Sequence, residues 1–182
     1  MRVLGISGSL RRDSYNRRVL RAAAALLPPG ARLVTFDGLK DVPPFDEDDE
    51  RAPAHGVLVL RAAIADADAL LVATPEHNHS IPGQLKNAID WASRPVAGAA
   101  LRGKPAAVIG ASTGIFGAVW AQAELRKVLA AAGARVVDRE LPVGSAHEAF
   151  GADGALSAPE HSDEIAAILT ELLMQVRAPV AT

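Results

Sequence analysis

The chain has 182 residues, the length of one ordinary domain, with 49% hydrophobic and 22% charged residues, a balance that builds a packed core and excludes extensive disorder. A formal charge of −2 supplies no field for a polyphosphate or an anionic surface, so nucleic-acid and membrane partners are not expected. Cysteine is absent, which removes disulfides, thiolate metal sites and dithiol redox chemistry and leaves any redox function to a bound cofactor.

The start, Met1-Arg2-Val3-Leu4-Gly5, turns polar too soon for a signal peptide. Asp66 and Asp68 interrupt the best apolar run well short of the roughly 20 residues of a membrane span, so a cytoplasmic protein is expected. Val3-Leu4-Gly5-Ile6 reads as a first buried strand. Val19, Leu20, Ala23, Leu26 and Leu27 recur at helical spacing until Pro28-Pro29-Gly30 stops them. Arg32 to Phe36 is strand two, Val57 to Ala65 a helix, and Ala69 to Ala73 an apolar third strand. Leu85, Ala88, Ile89 and Ala92 give a third helix one buried stripe, and Pro105 to Gly110 is strand four. Ala121, Leu125, Val128, Leu129 and Ala132 mark a fourth helix with Gly133 at its C-terminus. Arg135-Val136-Val137 begins strand five, and Ile165, Ile168, Leu169, Leu172 and Val176 line the closing helix. This alternation predicts one α/β domain over residues 1–182, with helices on both faces of a five-stranded parallel sheet in the order 2-1-3-4-5. The acidic stretch Asp46 to Glu50 reads as a solvated loop, and no metal site is expected there.

In such a sheet, ligands bind outside the carboxyl ends of the strands. The loop after strand one, Gly8-Ser9-Leu10-Arg11-Arg12-Asp13-Ser14-Tyr15-Asn16, leaves a strand and enters a helix, so main-chain N–H groups and the helix dipole face a potential anion. The hydroxyls of Ser9 and Ser14, the Asn16 amide and the Arg11 guanidinium suit a terminal phosphate. It is neither a Walker loop nor a dinucleotide fingerprint, and a plain turn with Asp13 or Ser14 as N-cap is the alternative. The loop after strand three, Thr74-Pro75-Glu76-His77-Asn78-His79-Ser80-Ile81-Pro82-Gly83, is stiffened by two prolines, which suits a planar ring whose heteroatoms need fixed partners. His77 and His79 lack a thiolate or a third ligand for zinc, and no nucleophile pairs with them. The loop after strand four, Ala111-Ser112-Thr113-Gly114-Ile115-Phe116-Gly117, offers two hydroxyls and room for close approach to main-chain N–H groups.

At these residues the sequence resembles the NADPH-dependent FMN reductase family, the flavodoxin-like group that includes chromate, quinone and azo-dye reductases. The matching signatures are Gly8-Ser9-Leu10-Arg11 with Ser14 and Asn16, then Thr74-Pro75-Glu76-His77-Asn78 through Pro82-Gly83-x-Leu85-Lys86-Asn87-Ala88-Ile89-Asp90-Trp91. The resemblance implies a flavodoxin-like three-layer sandwich in which Ser9, Arg11, Ser14 and Asn16 hold the FMN phosphate. It further implies that Pro75, Glu76, His77, Asn78, Ser112, Thr113 and Gly114 line the isoalloxazine and ribityl chain. FMN would then relay a hydride from NADPH or NADH to a small-molecule electron acceptor, with no side chain as catalytic acid or base and no metal, in a homodimer or homotetramer. Two positions depart from the family pattern: His77 stands where tyrosine is usual, and Gly117-Ala118 with Trp120 stands where a Gly-Gly pair and an arginine are common.

A non-enzymatic electron carrier of the flavodoxin type is the main rival, disfavoured because such carriers are strongly acidic. A nucleotide- or phosphosugar-binding enzyme on the same fold is another. Trp91 adjoins the buried stripe of helix three and is read as packing or interface. Trp120 is read as a cap on the ring pocket or a subunit contact, and His147 and His161 as surface residues.

Overall fold

Residues 1–178 are described by a computed structural model. Along the chain come β1 (Arg2–Ser7), α1 (Tyr15–Ala25), β2 (Arg32–Phe36), α2 (His55–Ala65), β3 (Ala69–Thr74), α3 (Gly83–Ala92), β4 (Pro105–Ala111), α4 (Val119–Ala131), β5 (Arg135–Val136), β6 (Pro142–Val143) and α5 (Pro159–Arg177). The sheet order is β2-β1-β3-β4-β5 with every pairing parallel, as the alternation predicts. Every residue of β3 and β4 is buried, the consequence of central parallel strands covered on both faces. One face packs α1 and α5 through Val19, Leu20, Ile168 and Leu172. The other packs α2, α3 and α4 through Leu60, Leu85, Leu125 and Leu129. The three layers are those of a flavodoxin-like sandwich. Truncating a central side chain such as Leu71 or Ile109 to alanine would cost about 2–5 kcal/mol in lost contacts and cavity.

Two expectations change. The fifth lane is not one strand: β5 pairs the start of β4 and β6 pairs its end, Gly110 to Pro142 and Ala111 to Val143. The chain leaves the ladder between them because Asp138-Arg139-Glu140 is charged and takes its partners from helices, Glu140 from Arg126 at 3.0 Å and Arg139 from Glu164 at 2.8 Å. Pro142, which has no N–H to give, then restarts the lane. Helix α1 also ends at Ala25, short of Leu26 and Leu27, because the following Pro28 biases the preceding backbone away from the helix.

The second signature mostly serves this fold. Trp91 is fully buried, donates from Nε1 to the Pro43 carbonyl at 2.9 Å and meets Phe45 edge-on, which makes it core packing. Asn87 accepts from Phe45 N–H at 2.7 Å and donates to Pro43, so α3 staples the 43–45 segment. The acidic stretch forms a short 3-10 turn, with Glu50 facing Arg94 at 3.4 Å.

Candidate functional site

The three expected loops converge at the carboxyl edge. Gly8 donates to the Ala73 carbonyl at 2.8 Å, and a Cβ there would lie 2.8 Å from Leu85 and 3.3 Å from Pro75. A side chain at Gly8 would have to displace Leu85 and crowd Pro75 of the second loop.

In the first loop Ser14 is the N-cap of α1, with φ −77 and ψ 130, and its Oγ accepts from Arg17 N–H at 3.4 Å. Ser14 is thus the N-cap that the plain-turn alternative named, its O–H still free to donate, and the next N–H groups, of Tyr15 and Asn16, lie in the first turn without an intrahelical acceptor. A cleft of about 280 Å³ at this loop is lined by Ser7, Ser9, Arg11, Arg12, Arg17, Asp37 and Lys40, with Leu10, Phe36 and Leu39. Arg17 is engaged with Asp37 at 2.6 Å, whereas Arg11 and Arg12 are exposed with no carboxylate in ion-pair range among the described residues. Free main-chain donors, a free hydroxyl and two uncommitted guanidinium groups form a donor set for a phosphate.

Asn16 departs from the expectation. Its Nδ2 donates to the Ala111 carbonyl and its Oδ1 accepts from Ala111 N–H, both at 3.0 Å, and the side chain is buried. The amide is a clamp between the first loop and the end of β4; what it leaves toward an anion is its main-chain N–H.

The second loop ends in a tight turn: His77 and Ser80 exchange two 3.0 Å main-chain hydrogen bonds, with Asn78 (φ 52) and His79 (φ 59) between them. Two consecutive positive φ values make this a type I′ turn, natural for asparagine and strained for histidine. The turn exposes His77 and Asn78. Glu76 points inward instead: its Oε2 accepts from Ala121 N–H at 3.2 Å, capping α4 across loops, and its Oε1 lies 3.4 Å from His79 Nδ1. Since Ala118, the residue ahead of α4, offers no side-chain cap, the carboxylate supplies both a missing acceptor and a favourable charge at the helix N-terminus.

In the third loop Ser112 Oγ accepts from Gly114 N–H at 3.1 Å, while Thr113 and Gly114 are exposed. The loop is pinned from behind. Ser145 N–H bonds Gly114 at 3.1 Å, and buried Gln122 bridges the Gly117 carbonyl at 3.1 Å to Leu141 N–H at 3.0 Å. Gly117 has φ 58, and a Cβ there would lie 2.4 Å from the Pro142 carbonyl carbon; Ala118 follows at φ 63. Gln122 carried no signal in the sequence beyond one amide on an apolar helical stripe; neither did the outward placement of Ile115 and Phe116. Trp120 stands at this edge, half-exposed, with its ring against His79 and Phe116.

The remaining residues fall elsewhere. His147 is exposed 3.3 Å from Glu148, and His161 is half-buried at the start of α5, not on the open surface. Hollows of about 560 Å³ between α3 and α4 and about 580 Å³ beside α1 are larger than the cleft, but neither is lined by residues of the three loops. Among the described residues no three His, Asp or Glu converge as a metal ion would need.

The family model for NADPH-dependent FMN reductase matches residues 1–148. The chain is 44% identical to an NAD(P)H-dependent FMN reductase of Pseudomonas aeruginosa over 97% of this chain and 96% of that one. It is 42% identical to a 2-hydroxy-1,4-benzoquinone reductase of a Burkholderia species over 71% of this chain and 70% of that one. Its structure matches FerB, a flavoenzyme NAD(P)H:(acceptor) oxidoreductase of Paracoccus denitrificans, with a TM-score of 0.87 and 33% identity over 97% of each chain. With a family model matched over residues 1–148, a relative 44% identical over nearly its whole length and this sheet order, the chain belongs to the NADPH-dependent FMN reductase family.

Proposed function

We propose that this protein is an FMN-dependent oxidoreductase that takes electrons from NADPH or NADH and passes them to quinones, flavins or similar small acceptors. The observation that carries the reading is the first loop, where two uncommitted arginines border one cleft and the chain then enters α1 with its first N–H groups open. At about 280 Å³ the cleft falls just below the range of about 300–1,000 Å³ usual for small-molecule sites, a size for a phosphate head and its tether. Ser9, Arg11 and the N–H groups of Tyr15 and Asn16 would hold that phosphate. Pro75, His77, Asn78, Thr113 and Gly114 would line the ring end, with Glu76, Ser112 and the Asn16 side chain fixing the loops that carry them. When bound, FMN supplies the redox chemistry, and this chain's residues bind it, orient it and leave one side open to donor and acceptor.

The enzyme reading is favoured over a flavodoxin-type carrier by the named activities of the relatives and by the near-neutral charge. A homo-oligomer and a cytoplasmic location complete the proposal; no helix among the described residues is long and apolar enough to cross a membrane. The test is an FMN titration of the purified protein followed by NADPH and NADH oxidation with a quinone. Yellow holoprotein that oxidises either nucleotide is expected, with Arg11→Ala weakening FMN about 10- to 100-fold through one lost charge-assisted contact. Failure to bind FMN, or a flavin that neither nucleotide bleaches, would overturn the reading.

A further inference from the structure

Many polar groups of the three loops are tied to one another or to the strands and helices behind them; apolar groups at the same edge stay exposed among the described residues. The protein has four phenylalanines, two tryptophans and one tyrosine. Of these the two exposed ones, Phe116 at 57% and Trp120 at 43%, stand together at the ring end of the site. Their centroids lie 5.0 Å apart, and His79 meets Trp120 at 4.9 Å and 87°. Ile115 beside them is still more exposed.

These side chains do not face water because the loop is loose. The third loop is held by Ser145, Gln122 and the backing of Pro142, and it enters α4 through two residues with positive φ. A fixed backbone that costs strain and keeps two aromatics outside the core fits a binding function better than packing. The chemistry of the lip narrows the occupant. Ile115 to Ala121 contains no cation, and behind it the Glu76 carboxylate is committed to the helix end. An uncharged flat ring is favoured there, and a small anion meets a carboxylate with nothing to pair it.

We propose that Trp120, braced edge-on by His79 and Phe116, is a specificity-determining residue that packs flat, uncharged aromatic acceptors of the quinone and naphthoquinone class against the ring end of the site. This inference rests on the reading that the adjoining loops hold a flavin. It names the residue that sorts acceptors, which the phosphate loop does not touch.

Two measurements test it. The protein has two indole N–H groups, and Trp91 is fully buried, so a nitrogen-labelled NMR spectrum of the FMN-loaded protein carries one buried and one exposed indole signal, assigned with Trp120→Phe. Titrating 2-methyl-1,4-naphthoquinone without nucleotide should shift the Trp120 signal and leave Trp91 in place. In turnover, Trp120→Ala should lower the ratio of kcat/KM for the naphthoquinone to that for ferricyanide about tenfold, and Trp120→Tyr should restore most of it. An unmoved Trp120 signal or an unchanged ratio overturns the inference. So does a smaller particle by light scattering for Trp120→Ala with the indole silent, which would make the lip a subunit contact. Failure of the flavin reading is separately visible, as a protein that stays colourless with FMN or whose flavin is not bleached anaerobically by NADPH or NADH; the inference then falls with it.

Discussion

Replacing Asn16 by alanine separates a clamp from a ligand contact. The side chain is 2% exposed and satisfies both the N–H and the carbonyl of Ala111, 95 residues along the chain, at 3.0 Å each. Removing it strands two buried main-chain groups, each worth about 1–3 kcal/mol when left unpaired. A loss of about 3 kcal/mol is expected, a large part of the roughly 5–15 kcal/mol that holds a typical domain folded. At about 2–4 °C per kcal/mol for a chain of this size, the melting temperature should fall by about 6–12 °C. The assay is thermal unfolding of the FMN-free protein followed by circular dichroism, so that no ligand contact enters the measurement. Asn16→Asp sharpens it. An ionised carboxylate keeps an acceptor for Ala111 N–H but sets an oxygen against the Ala111 carbonyl, whereas the protonated acid restores a donor. That variant should therefore be more destabilised relative to wild type at pH 7 than near pH 4. An unchanged FMN-free melting temperature in Asn16→Ala, together with lost FMN affinity, would show that the amide is a phosphate ligand after all.

Other substitutions probe the same edge. Gly117→Ala would place a Cβ 2.4 Å from the Pro142 carbonyl carbon at φ 58, so a loss of about 3 kcal/mol or more is expected in urea unfolding; a loss below about 1 kcal/mol would mean the loop is not pinned as described. Glu76→Ala strips the acceptor from Ala121 N–H and should cost about 1 kcal/mol, while Glu76→Gln, which keeps an acceptor, should cost less; equal losses would deny the cap. The hydrogen bond from Arg139 holds the Glu164 carboxyl below its usual value, against a smaller opposing effect of desolvation. A depressed carboxylate stabilises above its unfolded value of about 4.3 and loses that contribution as pH falls through the folded one. The difference in urea midpoint between wild type and Glu164→Gln should thus be present at pH 7 and shrink steadily below about pH 4; a difference independent of pH would refute it.

The central sheet was legible because β1, β3 and β4 are short apolar runs separated by helical periodicity, and buried parallel strands are continuous in that sense. The fifth lane was not, since Arg135-Val136-Val137 starts like a strand and the charged excursion that breaks it is fixed by Arg126 and Glu164 on two helices. At the site the three loops were legible as loops, from their position after strands and their hydroxyls, amides and glycines. The division of labour within them was not. A polar side chain that grips a ligand and one that ties two loops together are the same residue types at the same edge, and the choice lies in partners far along the chain: Ala111 for Asn16, Ala121 for Glu76, Leu141 for Gln122. The structure supplies the criterion. A buried polar group already paired on both sides has little left for a ligand, whereas an exposed cation or open N–H beside a cleft is held only by water and is free to take one. By that criterion the Asn16 and Glu76 side chains serve the scaffold, and Ser9, Arg11 and the first turn of α1 are the groups we propose for the ligand. If the opening loop binds its anion chiefly through main chain and arginine, as proposed, its grip should tolerate changes in the Asn16 side chain to the extent that β4 stays in place.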